Sequence, residues 1–458
     1  MYETLVLFGA TGDLSFRYLL PALGRLEAEE LLPGGFRLLG LSREEQGTED
    51  FRRDAREALE RDGTADNGAI AKLVDRLLYA PADVTDESSL RASMSDVREP
   101  VIAYLALPPS IYGNAIEAVA RAFPQGSRVV VEKPFGEGLD SARKLNAQLH
   151  EHFDEADVFR VDHFLGLPAM QAIPGLRFAN RPLRETWNRE HIEQVTIQWD
   201  EHVGLEGRAR YYDGTGALRD MVQNHLLEVL ASVAQEPPDP VAPDALRAAK
   251  CNLLRDIRPL NRDDVPRRVV RARYSEGEID GNRVPAYVDE DGVDPARETE
   301  TFVQLVLSID NERWRGVPFV LRTGKALGKR RQAVDVRFRP AAGETWQGLA
   351  DAEPPTLTID LGEPRIEMGT TVTTSRALSS PEGIVLRGDI PPGLPAYARV
   401  LLDILEGDQA LSVRDDEAED LWRVVEPVLE AWREGEGSVC EYPAGSAGPS
   451  LDALEAER

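Results

Sequence analysis

The feature that most constrains this chain is a change of rhythm part-way along it. Over the first 165 residues, apolar runs at 5–8, 37–41, 101–107, 128–131 and 158–161 alternate with helical stretches such as 51–62 and 139–150. Parallel strands cannot be joined by a tight turn and need a crossover, so this alternation predicts βαβ units on a parallel sheet. After about residue 190 the pattern becomes one of longer strands. Val195, Ile197 and Trp199 alternate with polar residues, as do Val334, Val336 and Phe338, and segments 301–310, 355–361 and 383–387 read alike. Period-two alternation predicts an antiparallel sheet with one covered face. Near the end, Leu421, Val424, Val425, Val428, Leu429 and Trp432 form the apolar stripe of an amphipathic helix, in which Pro427 predicts a kink.

Composition bounds the function. A chain of 458 residues suits two or three cores, and no apolar run reaches the ~18 residues of a membrane span. The opening Met-Tyr-Glu-Thr runs straight into Leu5-Val6-Leu7-Phe8, which reads as a first strand and not a signal peptide. Two cysteines, Cys251 and Cys440, are too few for a disulfide framework or a zinc site, and no metal is expected. A cytoplasmic location follows from both readings. A net charge of -27 argues against nucleic acid and anionic membranes as partners. Of the 53 basic residues only six are lysines, so the surface is acidic and lysine-poor. A high-salt habitat and a plain composition bias explain that equally well. Either way, an enzyme for anionic ligands must concentrate its cations locally.

The first run leads into Gly9-Ala10-Thr11-Gly12-Asp13-Leu14 and then a helical pattern. Strand, glycine turn and helix bring backbone N–H groups and a helix N-terminus to a pyrophosphate, although a tight turn of this kind serves any α/β domain. The second run ends at Leu41 and is followed by Ser42-Arg43. An acidic residue here favours NAD, whereas an arginine suits the 2′-phosphate of NADP. Arg43 therefore points to NADP, while Glu44 and Glu45 leave NAD use open. The expected fold is α/β plus α+β. Residues 1–166 form an N-terminal Rossmann-type dinucleotide-binding domain. Residues 167–458 form a substrate-binding and dimerisation domain built on a large mainly antiparallel sheet with flanking helices.

Three further stretches carry chemistry. Glu132-Lys133-Pro134-Phe135-Gly136 follows the 128–131 run, Arg160-Val161-Asp162-His163-Phe164-Leu165-Gly166 follows the 158–161 run, and RDMVQNHLLEVL (219–230) lies on an expected helix. There Leu218, Met221, Val222, His225, Val229 and Val233 share one face, so His225 alone reads as a core residue. Together with GATGDL (9–14), YLALPPSIYG (104–113), EGRARYYD (206–213), LRTGKAL (321–327), AYARVLLDILEGD (396–408) and LWRVVEPVL (421–429), these segments resemble the glucose-6-phosphate dehydrogenase family from end to end. RDMVQNHLL beside RVDHFLG is the specific signature, since EKP is shared with another large group of sugar oxidoreductases.

The resemblance implies NADP-dependent oxidation at C1 of glucose 6-phosphate to the 6-phosphogluconolactone, in the pentose phosphate pathway, by a homodimer or homotetramer joined through its large sheet. His225 is then the general base and Asp162 its orienting carboxylate. Gly9, Gly12, Asp13, Leu14, Arg43, Asp83 and Val84 would contact the cofactor, and Lys133 would sit where sugar and cofactor meet. Glu201 and Asp220 would bind sugar hydroxyls, Lys325 and Arg330 would reach the substrate, and His163 would approach its phosphate.

The resemblance breaks at the phosphate end. Where the family has R-I-D-H-Y-L-G-K, this chain has Phe164 for the tyrosine and Leu167 for the lysine. Where the family continues its first motif with lysines, this chain has Phe16-Arg17-Tyr18. Three readings stay open: a glucose-6-phosphate dehydrogenase with a rebuilt phosphate clamp, a paralogue for an unphosphorylated or differently substituted hexose, and a non-catalytic binding or regulatory homologue.

Overall fold

The computed structural model describes residues 2–95, 97, 100–205, 207–340, 353–373 and 381–451; Glu206 of the 206–213 motif lies outside them. The chain forms two compact units, Met1–Leu167 with Pro238–Ala248 and Gly393–Glu419, and Pro168–Pro237 with Ala249–Pro392 and Asp420–Arg458.

The first unit is built on a seven-stranded sheet. Its strands β1 (Thr4–Phe8), β2 (Arg37–Ser42), β3 (Leu77–Pro81), β4 (Ile102–Leu105), β5 (Arg128–Glu132) and β6 (Val158–Val161) are parallel and ordered 3-2-1-4-5-6. Strand Ser412–Val413 adds antiparallel to β6. Leu5, Leu7, Leu38, Tyr104 and Val130 are buried, and helix Ala396–Glu406 packs Leu401 and Ile404 into the same core. Burial on both faces explains why these strands read as unbroken apolar runs. The order reverses at β1, and in such sheets ligands collect at the carboxyl ends of the strands beside that reversal.

The second unit carries a ten-stranded sheet. From one edge to the other it runs Pro381–Asp389, Arg365–Thr373, Thr356–Asp360, Arg331–Phe338, β7 (Ile192–Asp200), Phe319–Gly324, Phe302–Ile309, Val269–Ser275 and Cys440–Pro443, with Ile257–Arg258 pairing off this path. Most neighbours are antiparallel, but β7 pairs parallel with Phe319–Gly324, and Cys440–Pro443 parallel with Val269–Ser275. Segment Leu218–Leu226 is a π-helix that continues as the α-helix Leu227–Ala234. Its far end is held at three points. Trp187 Nε1 donates to Val233 O, Trp314 Nε1 to Ala234 O, and Arg177 to Ser232 O and Gln235 O. These donors satisfy carbonyls that a helix end leaves without intrahelical partners. Lys250 Nζ meets Glu228 at 2.8 Å, both buried, so that this apolar helix carries no unpaired charge. The helix Asp415–Arg433 continues through Pro427. Among the described residues no helix is long and apolar enough to cross a membrane.

Candidate active site

In the first unit the expected cofactor residues leave neighbouring strands at one edge. Phe8 is level with Leu41 and Leu105, and Ser42 with Pro81, so Gly9, Arg43 and Asp83 emerge together. Gly9 has φ +71°, and a Cβ there would lie 2.3 Å from Ala106 O. Only glycine fits both constraints. Gly12 N donates to Gly9 O, while the main-chain N–H groups of Asp13 and Leu14 donate to no protein acceptor among the described residues. Free N–H groups at a strand-to-helix turn suit an anionic pyrophosphate. The Asp13 side chain pairs instead with Arg17 at 3.3 Å on the surface.

Arg43 is largely exposed, and its Nη2 lies 3.7 Å from Asp83 Oδ1. Hydrogen bonds from Thr85, aided by Arg43, hold the Asp83 carboxyl below the usual range. Val84 beside it is buried. Glu44 accepts from Ser42 Oγ at 3.0 Å, so a carboxylate sits next to the arginine.

On the other side of the reversal, Glu132 is level with Val161, which brings Lys133 and Asp162 out of adjacent strands at the same height. Asp162 is fully buried and accepts from Phe164 N at 2.9 Å. Glu132, also buried, accepts from Tyr104 Oη at 2.5 Å. Burial pushes its carboxyl up to about 7; the Tyr104 hydroxyl opposes this, the Asp162 charge adds to it, and Lys133 opposes it. Sequence reasoning missed Glu132, because EKP drew attention to its lysine.

The expected phosphate end is aromatic. The His163 ring stacks on Tyr397 at 5.2 Å with 9° between planes, and Tyr397 in turn lies 5.5 Å from Tyr18. Phe164 meets the edge of His163, and Leu167 adds no polar group. Tyr397 was not singled out from the sequence; its signal is the aromatic residue that opens a helix just after Pro395.

The second unit assembles its own cluster from strand register. Asp200 is level with Gly324 on parallel neighbours, so Glu201 and Lys325 leave side by side, and Lys325 Nζ pairs with the Glu201 carboxylate. Lys325 also lies 5.2 Å over the Tyr212 ring. The loop is tied down by Lys325 N to Thr301 O, Ala326 N to Val203 O and Tyr442 Oη to Lys325 O. Ala326 takes φ +52°, an unusual conformation for a residue with a side chain. His202 bridges Leu327 O and Asp280, whose carboxylate raises the imidazole pKa. Arg330 donates to Gln332 at 2.8 Å, beside Lys325 in sequence but engaged elsewhere. On the π-helix, Asp220 is half-buried and His225 is 2% exposed. Single π-type turns in helices occur often at functional positions.

Residues 6–172 match the family model of the glucose-6-phosphate dehydrogenase NAD binding domain, and residues 175–457 match that of the glucose-6-phosphate dehydrogenase C-terminal domain. The chain is 39% identical to the glucose-6-phosphate 1-dehydrogenase of Treponema pallidum, over 97% of this chain and 92% of that protein. It is likewise 39% identical to that of Gluconobacter oxydans, over 97% and 94%. A solved glucose-6-phosphate dehydrogenase in complex with glucose 6-phosphate superposes with TM-score 0.89 at 30% identity, covering 99% of this chain and 97% of the other. The Mycobacterium avium structure gives TM-score 0.86 at 35% identity, over 98% and 95%. With both domain models matched along nearly its whole length, the chain belongs to the glucose-6-phosphate dehydrogenase family and is an oxidoreductase of sugar CH–OH groups.

Proposed function

We propose that this protein oxidises C1 of glucose 6-phosphate to the lactone with NADP as hydride acceptor. The observation that carries the proposal is the match along both domains to relatives that bear this activity in their names. When bound, the dinucleotide supplies the acceptor carbon; the rest is done by the chain. His225 takes the C1 hydroxyl proton, and Asp162 serves as the carboxylate that orients it and favours its charged form. The pyrophosphate rests on the turn from Gly9 to Leu14, and Arg43 faces the 2′-phosphate, with Asp83 and Val84 beside it. Lys133 lies where cofactor and sugar meet. Glu201 and Asp220 accept from sugar hydroxyls, Lys325 and Arg330 supply positive charge, and His163 contacts the phosphate. We assign residues 1–166 to the cofactor and 167–458 to substrate and self-association, in a cytoplasmic homodimer or homotetramer.

A second reading is favoured by one observation. Tyr18, where the family resemblance expects a lysine, lies 5.5 Å from Tyr397, whose ring stacks on His163. An aromatic wall suits the C–H face of a hexose better than a dianion, so the 6-phosphate requirement is relaxed in this reading and glucose is a second substrate. Rates with glucose 6-phosphate and glucose, each with NADP and NAD, decide between them.

A further inference from the structure

The second unit holds a basic pocket that the proposed chemistry does not use. It is a cavity of about 170 Å³ lined by Arg219, Arg271, Arg297 and Arg433, with Trp432 as part of its wall. One water needs only ~10–15 Å³ of such space. In a chain with 80 acidic residues, the lining sets four guanidinium groups against three carboxylates, Asp213, Glu298 and Glu300.

Arg297 is paired with Asp213 at 3.2 Å, but the donors of the other three are under-used. Arg433 forms no ion pair among the described residues, and Arg219 makes one bond, from Nη1 to Thr215 O at 3.2 Å. Arg271 lies 4.6 Å over the Trp432 ring and donates to Glu298 O, but its buried Nε has no acceptor, the nearest carboxylate being Glu300 at 3.9 Å. Trp432 Nε1 is also buried without an acceptor. Buried donors are nearly always satisfied, and unpaired ones call for a ligand or water.

The carboxylates present do not cancel this field. Asp213 is already taken by Tyr287 Oη, Asp294 N and Arg297. Glu300 is engaged by Leu218 N, and burial raises its pKa against that hydrogen bond and the pull of Arg271. Glu298, at the rim, has its carboxylate 3.9 Å from Arg271 Nη1. Forked guanidinium donors facing an open space match a tetrahedral oxyanion, which accepts from several at once.

We propose that this pocket binds an oxyanion of the phosphate class, as inorganic phosphate or a phosphate monoester, and that the bound anion modulates catalysis. The coupling runs through Arg219, which directly precedes Asp220 and lies on the same π-helix as His225. Leu218 N, bonded to Glu300, ties the start of that helix to the pocket wall. An anion that draws Arg219 inward therefore biases the segment that presents both residues.

The test uses the full chain, with calorimetric titration of inorganic phosphate and, separately, glycerol 3-phosphate. Arg433→Glu reverses an exposed charge, and Trp432→Phe deletes one donor while keeping the ring. Binding should weaken about tenfold or more in Arg433→Glu and measurably in Trp432→Phe, in line with lost charge-assisted bonds. The stronger of the two ligands identifies the source. In turnover assays, which rest on glucose 6-phosphate being the substrate, phosphate should change kcat of the parent and not of Arg433→Glu. Binding indifferent to both variants, or an effect of phosphate that is purely competitive with glucose 6-phosphate, overturns the proposal. A parent that binds phosphate in this pocket but fails to turn over glucose 6-phosphate refutes the substrate reading instead.

Discussion

At the residue scale, two side chains matter most: His225 and the Glu132 carboxyl, which the sequence did not single out. His225→Asn keeps shape and removes the base, so kcat should fall about 10²–10⁴-fold with KM for both substrates nearly unchanged. Retention of more than about a tenth of the parent kcat would remove His225 from the mechanism. Glu132 makes a different prediction. Its carboxyl is pushed from the ordinary 4.5 up to about 7. Below 4.5 both folded and unfolded chains hold the proton, and stability is unaffected by this group. Between 4.5 and 7 only the unfolded chain releases it, so stability falls as pH rises, and the loss is complete above about 7. Glu132→Gln still accepts from Tyr104 but does not ionise. Between pH 5 and 8 the parent should lose up to about 3 kcal/mol more than the variant. Urea unfolding at both pH values measures this, and parallel losses would show that Glu132 ionises normally.

At the scale of elements, strand ends do the positioning. β1, β2, β4, β5 and β6 were legible as apolar runs because both faces of the sheet are covered. β3 was not singled out, although Leu77-Leu78-Tyr79-Ala80 is apolar too: it follows helix Asn67–Asp75 almost at once and merges in the sequence with the apolar face Ile70, Leu73 and Val74. The parallel pairing of β7 with Phe319–Gly324 was also hidden: alternation tells which face a strand buries, not which distant strand it meets. That pairing juxtaposes Glu201 and Lys325, which were named individually from motifs but not as a pair. The 218–226 segment showed a helical face, while its π geometry depends on packing that periodicity does not encode. The altered phosphate end was visible as substitutions, but its stacking on Tyr397 joins residues more than 200 positions apart and was not. Phe164→Tyr with Leu167→Lys restores two donors to this region. The ratio of kcat/KM for glucose 6-phosphate to that for glucose should rise about 10–1000-fold, at ~1.5–3 kcal/mol per charge-assisted bond less imperfect placement. A flat ratio would show that the phosphate is held elsewhere.

For the molecule as a whole, the outermost strand Pro381–Asp389 presents Ile384, Val385 and Leu386 to solvent, the last two 55% exposed. An apolar edge on a long sheet invites pairing with another chain, so the proposed self-association predicts an interface here. The unmodified protein should run as a dimer or tetramer in light scattering after size exclusion, and Leu386→Glu should shift it toward monomer with the folded signal retained; a monomeric parent or an unchanged mass in the variant would contradict this. The molecule's activity turns on its recognition of the substrate. Its most direct test is kcat/KM of the unmodified protein for glucose 6-phosphate against glucose, with NADP in both arms. If His163 and Arg330 hold the phosphate, two charge-assisted bonds predict a preference of about 100-fold or more for glucose 6-phosphate. Equal values, or a preference for glucose, would contradict the account and leave the aromatic wall as the determinant of specificity.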